Sequence, residues 1–574
     1  MKTISRYVKP YTGIIAFTLF LKLAAALLDL LIPSFLARII DDVVPTGNRG
    51  GIFFWGGVML ACAVSSMFTN MYANRIAART SGHMTRTLRH DLFSKLSFLS
   101  AAQLDRISIP SAVSRLTTDT YNLNQLFNRI QRIGVRAPIL LIGGIAITLM
   151  MDPALTLVLV ATLPFIALLV YYVTKKSVPL YTRQQGVLDR LVRTVQENIT
   201  GVRVIKALSR VPDEKKRFGK VNDELSGLEE KAGSVMALSN PTASFILNIG
   251  LVLVVIAGAY LVNAGRSTTG NIIAFLNYFT IILNAMLGIT RVFVMYSKGK
   301  ASALRVEEVL LLPEDLPVLE AAPMKTTPWH IQWENVSFSY NKRQDNLTGI
   351  SFALKRGQTL GIIGATGSGK STLIALMLRL YEADSGRILI DGQDIRTIPR
   401  ERLYGMMGAA FQNDFIMADT LAENIRYFRD ISEDALRLAV EDAQAADIVR
   451  EKEQGLLHRA AIRGNNLSGG QKQRLLIARA LAGKPDLLIL YDASSALDYQ
   501  TDARLRRALG RNYPDTTKII IAQRVSAIMG ADHILVLDEG RIHAAGSHEE
   551  LMATSDIYRS IADTQMSLLE GAAS

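Results

Sequence analysis

A chain of 574 residues is too long for one compact domain and points to at least two. An apolar share of 49% with positive mean hydropathy argues against a wholly water-soluble protein, and the single cysteine, Cys62, excludes an internal disulfide. A net charge of +13 leaves nucleic acid and anionic lipid open as partners until its distribution is known.

The apolar residues concentrate in the first half of the chain. Six stretches, 14–40, 52–72, 138–151, 154–173, 242–262 and 272–296, approach the roughly 20 residues needed to cross about 30 Å of hydrocarbon. The third is short by itself and must draw on the helix before it. The opening MKTISRYVKPY has no small-residue cleavage site, so the first span is expected to stay. Lys and Arg crowd the long links after spans two and four, whereas the links after spans one, three and five are nearly free of them, with Arg49 and Arg266 as exceptions. This bias places both termini in the cytoplasm. The positive charge is therefore a topology signal, and nucleic acid is not expected as a partner.

Lys22 and Asp29 lie within span one, seven residues apart and so on nearly one helix face. A charge at mid-membrane costs about 2.5–3.5 kcal/mol. The pair either lines a polar pathway or avoids the hydrocarbon, Lys22 by snorkelling and Asp29 by sitting near the interface. Arg291 in span six, close to the cytoplasmic end, reads as snorkelling. The two long links read as continuations of the membrane helices, each with a polar break where the chain can turn: Ser108-Ile109-Pro110-Ser111 and Asn198-Ile199-Thr200-Gly201. Residues 1–312 thus form a membrane domain, 313–328 a linker rich in Pro, Ala and Thr, and 329–574 a soluble α/β domain in which short aliphatic runs alternate with amphipathic segments.

In that domain GATGSGKST, comprising Gly364, Ala365, Thr366, Gly367, Ser368, Gly369, Lys370, Ser371 and Thr372, follows the apolar run Leu360-Gly361-Ile362-Ile363 and precedes a helical pattern. Strand, Gly-rich loop and helix make a P-loop, whose N–H groups close around phosphate oxygens at a helix N-terminus. Lys370 would neutralise phosphate charge and the Ser371 hydroxyl would ligate Mg²⁺. Further on, LSGGQKQR opens a helix, with Ser468, Gly469, Gly470 and Gln471 at its N-terminus.

With the P-loop, this signature resembles the ATP-binding cassette (ABC) family, and the six spans, two long cytoplasmic links and C-terminal cassette are similar to an ABC exporter half-transporter over the whole chain. The resemblance implies an α-helical six-span domain followed by an α/β P-loop domain, with ATP and Mg²⁺ as ligands. It implies that the signature presses on ATP held by a second half-transporter chain, that Tyr340 stacks on adenine, and that Gln412 reaches Mg²⁺ and the attacking water. It also implies that Asp498 in SALD crosses the interface, and that 108–119 and 199–208 are coupling helices. The setting implied is a bacterial cytoplasmic membrane, and the cargo an amphipathic drug, lipid or peptide.

Three departures from the family's pattern involve four positions. The spacings from Pro485 and from SALD place Tyr491 where the family carries its metal-binding Asp, and Asp492 where it carries the Glu that acts as general base. A phenol is uncharged at pH 7, and Asp is one methylene shorter than Glu. Gln523 stands at the switch His, which it can replace as a hydrogen-bond donor but not as a cation. Ile462 stands where exporters often carry a Glu. A damaged P-loop side with a sound signature implies one half of a heterodimer, with hydrolysis mainly at the partner's site. The alternatives are a weakly active homodimer and a membrane-bound ATP-binding regulator.

Overall fold

A computed structural model of the chain describes residues 2–320, 326–412 and 415–573, and side-chain surroundings at most of them. The chain divides into two units, Met1–Ser97 with Ser108–Leu312, and Phe98–Ile107 with Pro313–Ser574. The short segment Phe98–Ile107 from the first cytoplasmic link therefore belongs with the C-terminal unit, and so does the start of the linker. Leu319 N–H bonds Arg396 O at 2.9 Å there, and Arg379 donates to Pro317 O at 2.6 Å. Linker residues 321–325 lie outside the described residues.

Six helices of the N-terminal unit are long and apolar enough to cross a membrane: Thr3–Val43, Arg49–Ser97, Ile109–Met151, Pro153–Ala207, Val211–Asn263 and Thr269–Ile289. The first five run to 41–55 residues. At 1.5 Å per residue that is about 60–80 Å, twice the hydrocarbon thickness, so the charged links continue the spans as helix. The short third span is accordingly the end of the 43-residue helix Ile109–Met151. Asp152-Pro153 separates it from the fourth helix: the Asp152 carboxylate caps that helix, accepting from Ala154 N–H at 2.9 Å and Leu155 N–H at 3.2 Å.

The break expected at Asn198 to Gly201 is absent. The helix runs through it to Ala207, and the turn comes at Ser209, whose φ is 54°. Asn198 is satisfied on the helix surface, donating to Thr194 O at 3.2 Å and to the Glu214 carboxylate at 2.7 Å, so its polarity does not open the backbone. Ser108 does mark a break, at φ 65°, after the short helix Ala101–Ile107.

Large apolar side chains such as Phe53, Phe68, Leu157 and Phe165 point outward from the spans, as lipid-facing residues must. Leu30, Leu155, Phe275 and Ile282 close the interior, where the Tyr278 hydroxyl donates to Leu30 O at 2.6 Å. Lys22 is buried rather than snorkelling, and Asp29 is paired with Arg136. The Arg291 side chain lies outside the described residues.

The C-terminal unit carries two sheets among the described residues. Strands β1 (Ile331–Phe338), β2 (Leu347–Leu354), β4 (Ser385–Ile390) and β5 (Gln393–Asp394) form an antiparallel sheet in the order β2-β1-β4-β5. The second holds β3 (Thr359–Gly364), β6 (Met407–Phe411), β7 (Leu487–Tyr491), β8 (Thr517–Ile521), β9 (His533–Asp538) and β10 (Arg541–Gly546), in the order β10-β9-β3-β8-β7-β6. Strands β9, β3, β8, β7 and β6 are parallel neighbours, buried on both faces, which is why β7 reads LLIL without alternation.

Two of the three cores among the unit's described residues bear on the site. One joins both sheets to Leu373 and Ile374 of the helix Lys370–Met377. The other packs Leu475, Leu476 and Leu481 of the helix Gly469–Ala482 against Leu488 and Leu490 of β7. Each buried leucine contributes about 1.5–3 kcal/mol. The helix that begins with the signature is thereby fixed to the strand that ends in Tyr491.

Candidate functional site

The parallel register brings four strand ends to one edge. Ile362 of β3 stands opposite Ile521 of β8, Ile521 opposite Tyr491 of β7, and Tyr491 opposite Phe411 of β6. The residues that follow these four positions are the P-loop, Gln523, Asp492 and Gln412. The carboxyl edge of a parallel sheet is where open α/β folds place their ligands.

Glycine shapes the phosphate loop. Gly369, the N-cap of the helix Lys370–Met377, has φ 100°, and a Cβ there would lie 2.6 Å from Leu347 Cδ2. A Cβ on Gly364 would meet Leu537 O at 2.2 Å. Ser368 and Thr372 are buried, whereas Ala365, Thr366 and Gly367 are exposed at the loop's crest. Lys370 folds over the loop, its ammonium donating to Gly364 O at 2.8 Å and Ala365 O at 2.7 Å. Burial pulls this ammonium below its usual range, and the charge of Asp492 acts the other way.

Tyr491 ends β7 directly beside the loop, its phenol oxygen 2.6 Å from Ser371 Oγ. Two neutral hydroxyls thus meet where a carboxylate would bring negative charge. Asp492 follows at φ 49°, a left-handed position that Asp tolerates. Its side chain is buried, and its Oδ2 accepts from Gln523 Nε2 at 2.6 Å. Its N–H bonds Ile521 O at 2.8 Å. Asp492 and Gln523 therefore satisfy each other, which occupies one oxygen of the carboxylate. Gln412 is exposed and its amide lies 3.5 Å from Ser495 Oγ. Asn413 and Asp414 lie outside the described residues.

The signature end is built differently. Ser468 caps the helix Gly469–Ala482, accepting from Gln471 N–H at 3.2 Å while the Gln471 side chain accepts from Ser468 N–H at 3.0 Å. This capping box fixes the helix N-terminus, and Ser468 and Gly469 remain exposed, with Gly470 half-buried. Asp498 caps the helix Tyr499–Asn512 through Thr501 N–H at 2.9 Å. Bonds from Thr501 hold its carboxyl below the usual range. Ile462 is 71% exposed.

Tyr340 is half-exposed and stands edge-on to Tyr381, with ring centroids 5.0 Å apart. Tyr381 escapes a reading of the sequence, because its role depends on a contact distant in the chain. Its hydroxyl donates to the Asp105 carboxylate on the helix Ala101–Ile107. Burial first, and then this carboxylate, raise its phenol above the usual range. Gln565, near the C-terminus, escapes for the same reason. Its amide donates to Gln523 O at 2.8 Å and accepts from Val525 N–H at 2.8 Å, pinning the segment that carries the switch position.

The loop fits nucleotide phosphates: its glycines admit the needed backbone, and the ammonium already sits on oxygen acceptors that a phosphate would outcompete by charge. Mg²⁺ fits less well. It favours one or two carboxylates besides phosphate oxygens, but Ser371 and Tyr491 offer hydroxyls and Asp492 is engaged by Gln523. Among the described residues, no group of three or more His, Cys, Asp or Glu side chains could hold a metal.

Residues 15–286 match the family described as ABC transporter transmembrane region, and residues 347–495 the family described as ABC transporter. The chain is 34% identical over 97% of its length to YfiB of Bacillus subtilis (strain 168), described as an uncharacterized ABC transporter ATP-binding protein, and covers 97% of it. It is 33% identical over 82% of its length to a fatty acid ABC transporter ATP-binding/permease protein of Mycobacterium bovis, covering 75% of that protein. A solved bacterial Atm1-family ABC exporter with ATP bound superposes with a TM-score of 0.82 at 23% identity, over 96% of this chain and 98% of that one. The last likeness establishes the fold.

Proposed function

This chain belongs to the ABC transporter family, and we propose that it is the subunit of a heterodimeric ATP-driven exporter that binds ATP in its own P-loop without hydrolysing it efficiently. The observation that carries this reading is the hydroxyl pair Ser371–Tyr491, 2.6 Å apart, beside an Asp492 held by Gln523. Three groups that act on the γ-phosphate and its water are changed together, while the exposed, capped signature is whole.

ATP would be held by the P-loop amides, Lys370 and the face of Tyr340, with Ser371 at Mg²⁺. Mg²⁺, when bound, would neutralise phosphate charge. Asp492 is a poor base here on two counts. Its shorter side chain withdraws the oxygens by about 1 Å or more, and Gln523 occupies one of them. General-base positioning is worth about 10²–10⁴ in rate, and that part of the rate is what this end lacks. Ser468 and the N–H groups of Gly469 and Gly470 would meet the γ-phosphate of ATP on the partner chain, where hydrolysis proceeds. Closure of the two cassettes would turn the spans from inward- to outward-open, moving an amphipathic substrate out of the cytoplasm.

Purification of the chain from its native membrane with whatever half-transporter accompanies it tests this directly. Ser468→Arg should cut ATPase activity about a hundredfold or more, and Asp492→Ala should change it less than about twofold. Full-rate hydrolysis by this chain alone, or equal losses from both substitutions, would sink the heterodimer.

A further inference from the structure

Inside the membrane-spanning unit three basic side chains gather with a single carboxylate, Asp29, which pairs with Arg136. Lys22 is 1% exposed, and its ammonium donates to the side-chain oxygens of Asn70 and Asn74. Arg132 Nε donates to the same Asn74 oxygen at 3.0 Å. Arg136 Nη2 meets Asp29 Oδ2 at 2.5 Å, and Ser66 Oγ donates to Asp29 Oδ1 at 2.5 Å. Arg136 Nε is buried with no hydrogen-bond partner among the described residues. Three cations against one carboxylate leave an excess of two positive charges, met otherwise only by neutral amide oxygens.

That excess is expensive. Lys22 lies within a span, where a charge costs about 2.5–3.5 kcal/mol, and its buried ammonium meets amide oxygens in place of a carboxylate, which is strongly destabilising. Packing alone would be served better by leucine or by a matched pair. A cavity of about 520 Å³ opens onto the cluster. Asp29, Arg132 and Arg136 line it, Asn277 and Asn284 add amides, and aliphatic side chains such as Leu140 form the rest. Its volume falls within the roughly 300–1,000 Å³ of small-molecule sites. One end is cationic, and most of the wall is hydrocarbon.

We propose that this cavity binds the transported amphiphile by an anionic head group, a carboxylate or a phosphate, held by Arg132 and Arg136. Asp29 orients Arg136 through Nη2, and the part of the Arg136 side chain that stays exposed faces the head group, so the guanidinium holds its positioning partner and its ligand at once. Lys22 lies too deep to touch the head group and contributes charge through Asn74, which it shares with Arg132. A cationic drug is disfavoured, because it would add to an existing positive excess. The inference rests on the exporter reading above and narrows its cargo.

The test is equilibrium binding to the full chain in nanodiscs of zwitterionic lipid, without nucleotide and corrected with empty discs. Laurate, dodecyl phosphate and dodecyltrimethylammonium share one tail, so the first two separate carboxylate from phosphate and the third reports tail binding alone. At least one anion should bind about tenfold or more tighter than the cation. Arg132→Gln, which breaks no ion pair, should weaken that binding severalfold with unchanged thermal stability. Asp29→Asn, which frees Arg136, should tighten it. Equal binding of cation and anions, or no response to Arg132→Gln, would overturn the proposal. Because no nucleotide is present, that failure leaves the ATPase comparison intact, and a failed ATPase comparison leaves the binding result intact.

Discussion

The P-loop end and the signature end of one cassette stand in contrast. At the P-loop end the glycines, Lys370 and Ser371 follow the phosphate-loop pattern, while Tyr491 meets Ser371 and Asp492 accepts from Gln523. At the signature end the polar groups are exposed and held only by the local capping box of Ser468 and Gln471. One end looks inward and its side chains bond one another, whereas the other presents Ser468 and Gly469 outward. On the proposed reading the fold keeps the rigid helix and strand that present ATP while relinquishing the chemistry, because Leu488 and Leu490 of β7 hold the signature helix whatever side chain ends the strand.

The most forceful way to break this contrast is to restore the altered end. Tyr491→Asp, Asp492→Glu and Gln523→His together should raise ATPase activity at this site by about 10²-fold or more, the usual worth of a positioned general base. Single-turnover hydrolysis by the purified complex, with the partner's site inactivated, measures it. No gain would mean that the loss lies elsewhere in the site. Lys370→Ala has the next largest effect, on binding. Loss of a charge-assisted bond costs about 1.5–3 kcal/mol, so affinity for a fluorescent ATP analogue should fall roughly 10- to 100-fold at this end. The partner's site should keep its affinity.

A smaller effect concerns the metal. With hydroxyls at Ser371 and Tyr491, chelation of Mg²⁺ should alter ATP affinity at this site by no more than about threefold, and Tyr491→Asp should raise that dependence to about tenfold. ATP titrations with and without EDTA separate the two. Strong Mg²⁺ dependence in the unaltered chain would show that a phenol suffices.

Much of this organisation can be read along the sequence, and the reason is local. Spans announce themselves by length and hydropathy, and the P-loop by glycines between an aliphatic run and a helix. The order of the remaining motifs needs only spacing. Contacts that join distant segments are not legible in that way. Asp105 meets Tyr381, and Gln565 reaches the backbone of Gln523 and Val525, through folding that no window reveals. Arg132 and Arg136, one helical turn apart just before an apolar run, pass for ordinary positive-inside residues until Asp29 and Asn74 are seen beside them. The expected turn at Asn198 to Gly201 fails for a related reason: Glu214, from the next helix, satisfies the asparagine that suggested it.

The smallest effect separates structure from function at the intact end. Ser468 caps the helix Gly469–Ala482 and Ser547 the helix His548–Thr554, each in a capping box and each accepting from one backbone N–H at 3.2 Å. Replacing either by Ala should cost about 1 kcal/mol, which for a domain of this size lowers Tm by roughly 2–4 °C. If Ser468 were only a cap, the two variants would match in both stability and ATPase activity. If its hydroxyl also meets the partner's nucleotide, Ser468→Ala should show the same small thermal loss as Ser547→Ala but a distinctly larger fall in kcat. Ser468→Thr, which keeps a hydroxyl able to cap, should recover the stability while its added methyl crowds the exposed face. A Thr variant with restored Tm and still-depressed kcat would assign the remaining loss to contact across the composite site, and one with both restored would confine the serine's importance to its oxygen.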